Sequence, residues 1–82
     1  MRTPIEILLE ARMLHPSHEK RVILITEEDA SDVSEFITKL TSRSVYHGEN
    51  SDGWVLVFGD KMQSVRWADV AQILSTALDK HN

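Results

Sequence analysis

The sequence has no cysteine, only three glycines and two prolines, and aromatic side chains make up 6 % of it. Each shortage removes a class of explanation. Without cysteine there is no disulfide, no thiolate metal site and no thiol nucleophile, a usage that fits a reducing compartment. Three glycines leave no glycine-rich phosphate loop, and no nucleophile-elbow pattern singles out any of the serines. No stretch approaches the roughly 20 apolar residues of a membrane helix. Glu6 and Glu10 interrupt the N-terminal segment, which does not read as a secretory signal. A soluble, cytoplasmic protein is the expectation. Positive charge is also scarce. Nine Lys and Arg against 13 Asp and Glu give a net charge of −4, which disfavours general attraction to phosphate backbones or anionic lipid.

What is present is an ordinary globular composition, 41 % hydrophobic and 27 % charged. Eighty-two residues make one domain, spanning 1–82, with no repeat and no linker. A chain of this length buries only about 60 % of the surface its unfolded form exposes, so its stability should be modest.

The local patterns predict the elements. Thr3, Pro4 and Glu6 form a cap, a first helical position and a reciprocal capping residue, and Ile5, Leu8, Leu9 and Met13 then share one helical face. Pro16 ends that helix by disfavouring helical geometry at His15. Val22 to Ile25 reads as a strand covered on both faces, too short for a helix of its own. Thr26 closes it and caps a second helix, in which Ala30, Val33, Ile37 and Leu40 recur at helical spacing with Phe36 beside them. Val45 to His47 predicts a short strand, Gly48 to Gly53 a turn-rich connection, and Trp54 to Phe58 a second apolar strand. After Phe58 two readings compete. Asp60 with Gln63 would open a helix at Lys61. Alternatively a two-residue turn at Gly59-Asp60 leads to a short strand over 61–65, with the helix starting near Arg66; β-branched Val65 favours this second reading. The order is α-β-α-β-β-(β)-α. It implies an α+β fold, a small mixed or antiparallel three- to four-stranded sheet with three helices, and a right-handed crossover if the β-α-β strands are parallel.

Five groups of residues could carry function. The stretch Thr26 to Glu35 holds five carboxylates and no Lys or Arg. It lacks the alternating ligands and bend glycine of a calcium loop. Glu27, Glu28 and Asp29 complement the dipole of a helix N-terminus, while Glu28, Asp32 and Glu35 would line one solvent edge able to engage basic groups. His15 and His18 flank Pro16 beside Glu19 without a third ligand at a recognised zinc spacing. His47 and Glu49 share a side if their strand runs through Gly48, an acid–base pair of the kind catalysis uses. Lys20 and Arg21 are the one adjacent basic pair, and Arg43, Lys61 and Arg66 are scattered. Trp54 and Trp67 would serve as stacking platforms only if exposed, and both sit in apolar patterns.

The last group is apolar. Trp67, Val70, Ile73, Leu74 and Leu78, with Ala71 and Ala77, cover more than half of the final helix, and the first helix has a similar surplus. Helices this apolar are either deeply buried or part of an interface. The sequence therefore reads best as a small non-catalytic protein-binding module: a regulator, inhibitor or adaptor with no metal or cofactor. Trp67, Val70, Ile73 and Leu74 would supply the contact, with an acidic rim of Glu28, Asp32 and Glu35. Its partner is another protein or a second copy, and an accessory role in a phage or bacterium suits such a domain. The alternatives are a nucleic-acid-associated protein using Lys20, Arg21, Arg43 and Arg66, and a small hydrolase using His47 and Glu49.

Overall fold

A computed structural model describes residues 2–14 and 20–81, the last two by their backbone alone. The elements follow the expected order: α1 (Pro4–Leu14), β1 (Ile23–Leu24), α2 (Glu27–Thr41), β2 (Val45–Asn50), β3 (Gly53–Phe58), β4 (Gln63–Ser64) and α3 (Trp67–His81). Of the competing readings after Phe58, the strand is the one observed. No helix among the described residues is long and apolar enough to cross a membrane.

The caps are built as their side chains dictate. At α1 the Thr3 N–H donates to Glu6 Oε1 at 3.1 Å and the Glu6 N–H donates to Thr3 Oγ1 at 3.2 Å, a closed capping box. At α2 the Asp29 N–H donates to Thr26 Oγ1 at 3.1 Å. At α3 it is Asp69 that reaches back, accepting from the Arg66 N–H at 2.9 Å.

Every strand pairing is antiparallel. β3 is the centre of the sheet: β2 pairs with it along one edge from Val45↔Phe58 to Asn50↔Gly53. β1 and β4 share the other edge end to end, β1 opposite Trp54 and Val55, β4 opposite Val57 and Phe58. β1 and β2 therefore run parallel with β3 inserted between them, a split β-α-β unit.

Two turns differ from expectation. β2 runs on to Asn50, so the connection shrinks to Ser51 and Asp52; every β2 residue has a β3 partner, and Gly48 is absorbed into the ladder. Gly53 holds this turn close: its φ is +134°, and a methyl there would stand 2.9 Å from the Leu24 carbonyl oxygen. The β3–β4 turn spans Gly59 to Met62 rather than two residues, with Met62 in the left-handed region at φ 53°.

The register also sorts the faces. Leu24, Val45, Leu56 and Phe58 lie on one face and join Ile7, Leu8 and Ala11 of α1, Ala30, Val33 and Ile37 of α2, and Trp67 and Val70 of α3 in one core. Tyr46, Val55 and Val57 point the other way and do not join that core, although Val55 is itself buried, Val57 half-buried and only Tyr46 exposed. The two-sided cover expected for the apolar strands is thus replaced by one core on one face. β-branched residues favour extended backbone whether or not a second layer covers them, so short apolar runs do not report cover. Ile25, the last residue of the β1 run, is 75 % exposed.

Candidate functional site

α3 is anchored by its start and free along much of its length. The Trp67 N–H donates to the Lys20 carbonyl at 3.2 Å, and the Val22 N–H to the Val65 carbonyl at 2.9 Å, which ties the first turn to the chain entering β1. Trp67 and Val70 are consequently core residues, 3 % and 5 % exposed. This corrects their role as surface contacts: the apolar stripe enters the core at its N-terminal end. Past Val70, Ala71 is exposed, Ile73 and Leu74 are half-buried, and Leu78 is exposed.

On α1, Ile7, Leu8 and Ala11 face inward, while Leu9, Met13 and Leu14 are exposed. Between the helices lies an open groove of about 160 Å³, lined by Leu8, Leu9 and Arg12 of α1 and by Trp67, Val70, Ala71 and Leu74 of α3. The Arg12 guanidinium stands 5.8 Å from the Trp67 ring centre. The indole N–H of Trp67 is buried and has no hydrogen-bond partner among the described residues. The groove presents apolar surface almost throughout. Leu8 and Leu9 stood out in the sequence only as part of a surplus; pairing them with α3 required the fold.

The acidic residues occupy a different surface. Glu28, Asp32 and Glu35 are exposed on α2. Asp32 and Glu35 border a hollow of about 280 Å³ with Pro4, Phe36 and Lys39. Lys39 Nζ sits 2.9 Å from Glu35 Oε1, and its hydrogen bond and charge hold the Glu35 carboxyl below its ordinary pKa. The expected rim does not border the α1–α3 groove.

The basic residues are partly gathered. Arg43, Lys61 and Arg66 line one cavity of about 380 Å³ with Phe58, Gln63, Ser64 and Asp69. Arg43 donates to Asp60 through Nε at 3.0 Å and Nη2 at 3.1 Å, and its guanidinium lies 3.8 Å over the Phe58 ring. Arg66 Nε is 3.8 Å from Asp69 Oδ2. Arg21 is bridged to Arg66 through the backbone and donates to Asp52 at 3.1 Å; Lys20 is exposed beside it. Each arginine of this group has an aspartate, so much of its field is already spent. Asp60 reads from the sequence only as a turn or capping residue, and Asp69 is assigned no role there.

His47 and Glu49 do share a face of β2. The polar contact to the imidazole comes from Ser34, whose Oγ is 3.4 Å from Nδ1. Ser34 Oγ already donates to the Ser31 carbonyl at 3.0 Å, and Ser34 is buried. Its proton is therefore directed away from the histidine, an arrangement that does not activate a nucleophile. The His47 ring leans on Trp54, 5.9 Å between centres. His15 and His18 lie outside the described residues. Among the described residues no group of three or more His, Asp and Glu is placed to hold a metal.

Comparison of the chain with protein-family models, with curated proteins and with solved structures gives no match.

Proposed function

We propose that the chain is a small non-catalytic protein-binding module whose contact surface is the groove between α1 and α3. The observation that carries this reading is the groove itself: apolar along its floor and lined by Leu9, which is 59 % exposed. Exposed apolar side chains that border a shared groove are characteristic of recognition surfaces. The occupant that fits is an amphipathic helix of a partner protein. A trough between two helices accepts a third through aliphatic anchors at helical spacing. Leu9, Ala71 and Leu74 make the contact, Trp67 and Val70 support it from beneath, and Ile73 lies beside it. Glu28, Asp32 and Glu35 lie apart from the groove, so they act at longer range, speeding encounter with a basic partner.

The test compares capture of partners by the native chain and by the variants Leu9→Glu and Leu74→Glu, both folded by circular dichroism. A partner retained by the native chain and lost from both variants is then titrated by calorimetry. Binding with a negative heat-capacity change and little response to salt supports the reading. Capture that survives both substitutions overturns it.

A further inference from the structure

β2 is an edge strand. Its six residues, Val45–Asn50, pair with β3 on one side only. Exposed edges are templates for another strand, and proteins commonly blunt them with lysine, proline or a bulge. This edge has no Lys or Pro and its register with β3 is unbroken; the one charge on it is Glu49.

The direction of its peptide groups can be worked out. The Gly59 N–H donates to the Ser44 carbonyl at 2.8 Å, so residues 44, 46, 48 and 50 turn their peptide groups toward β3. Val45, His47 and Glu49 turn theirs outward. The Val45 N–H is taken by Thr38 Oγ1 at 3.1 Å. That leaves the Val45 C=O and the N–H and C=O groups of His47 and Glu49 as the outward set, and among the described residues the His47 and Glu49 N–H groups have no hydrogen-bond partner.

We propose that this edge is a self-association surface, on which two copies of β2 pair antiparallel about Gly48 and join two four-stranded sheets into one of eight strands. The choice of a second copy rests on self-complementarity. Centred on Gly48, His47 of each copy stands opposite Glu49 of the other, in two hydrogen-bonded pairs that use all the outward groups of both residues. Imidazole faces carboxylate twice, and opposite cross-strand partners of this kind stabilise a sheet. The neighbouring registers are worse. Centred on His47, histidine faces histidine and Glu49 meets Val45, whose N–H is already held. Centred on Glu49, two carboxylates face each other. At the two-fold, Gly48 meets Gly48 with no side chain to obstruct the approach, and on the open face Tyr46, 61 % exposed, comes opposite Asn50 of the other copy. The α1–α3 groove takes no part, so the dimer carries two of them.

The experiment is solution mass by light scattering behind size exclusion, over a concentration series reaching the millimolar range. Amide hydrogen exchange is read at low and high concentration. The native chain is expected to approach twice the monomer mass, with exchange slowing at His47 and Glu49. Glu49→Pro removes an outward N–H without touching the β3 ladder, and weakens the dimer roughly tenfold or more for two lost backbone bonds. Gly48→Lys places two ammonium groups against each other at the two-fold; within one copy a side chain there meets nothing within 4 Å, so the monomer tolerates it. Leu74→Glu leaves the dimer intact. A monomer at every concentration overturns the proposal, as does a dimer that survives Glu49→Pro and Gly48→Lys. A dimer lost only with Leu74→Glu would place self-association in the groove instead. Failure here leaves the groove reading standing, because different residues carry it.

Discussion

Arg2 and Asp29 meet across the start of two helices: one guanidinium nitrogen of Arg2 donates to both carboxylate oxygens of Asp29 at 2.8 Å, while the other contacts Glu10. The pair ties the chain just before α1 to the first turn of α2. One member of the acidic run is therefore a structural clamp, its side chain only 14 % exposed, whereas Glu28 and Asp32 stand in solvent. Asp29→Ala should lower the melting temperature, and Glu28→Ala and Asp32→Ala should leave it nearly unchanged. The gap between Asp29→Ala and the native chain should narrow in high salt, because part of the clamp is electrostatic. Equal melting points for the three variants would show that the clamp contributes nothing.

Acid should destabilise the fold through three carboxylates. Glu6 is held below its ordinary pKa by the Thr3 N–H and then the Thr3 hydroxyl, Glu35 by Lys39, and Asp60 by Arg43. A carboxylate whose folded pKa is lowered contributes stability that is complete above its unfolded value and is lost as pH falls through the folded one. The urea midpoint should thus be flat from pH 7 to about 5 and fall below roughly pH 4.5, the ordinary carboxylate range. Glu6→Gln should make that fall shallower. A midpoint that rises on acidification would contradict the assignment.

Trp67 separates core from contact surface. Burying its ring inside the first turn of α3 means that Trp67→Ala should cost about 3–5 kcal/mol, a large share of what a chain this small has. Trp67→Phe should cost much less, because it keeps most of the apolar contact and removes a buried N–H without a partner among the described residues. Leu74→Glu, on the half-buried side, should retain a single cooperative unfolding transition. Chemical denaturation of the three variants gives the ranking, and a nearly harmless Trp67→Ala would return Trp67 to the surface.

Much of this fold was legible in the sequence because its helices carry their own punctuation. Thr3, Glu6 and Thr26 cap by short-range bonds, and Ala30, Val33 and Ile37 repeat at helical spacing, so neither depends on distant residues. The strands were harder to read. The turn-rich Gly48–Asn50 stretch became strand because β3 offered partners, a non-local fact. Cover on one face or two depends on where helices dock, which Val55 and Val57 do not encode. The candidate surface divided in the same way. The surplus of apolar residues on α1 and α3 was visible; that Trp67 and Val70 sink into the core while Leu9, Ala71 and Leu74 open onto one groove came only from packing. Likewise Arg43 and Asp60 lie 17 residues apart, and no local pattern pairs them.

That last pair decides what the basic cavity can do. Arg43, Lys61 and Arg66 surround it, and three cations around a concavity would draw a phosphate backbone if their charge were free. Asp60 engages Arg43 through two bonds and Asp69 stands beside Arg66, which leaves a net charge near +1 from three cations and two anions. With so little charge to displace counterions, the native chain should show no measurable affinity for duplex DNA at physiological salt. Asp60→Asn with Asp69→Asn restores about two charges while keeping amide oxygens in place, so the double variant should bind at low salt. Its log affinity should fall with log salt at a slope near −0.9 for each phosphate contacted. Fluorescence anisotropy across a salt series reads both quantities. Tight, steeply salt-dependent binding by the native chain would make the cavity a nucleic-acid site in spite of its aspartates, and the α1–α3 groove would no longer be the leading surface.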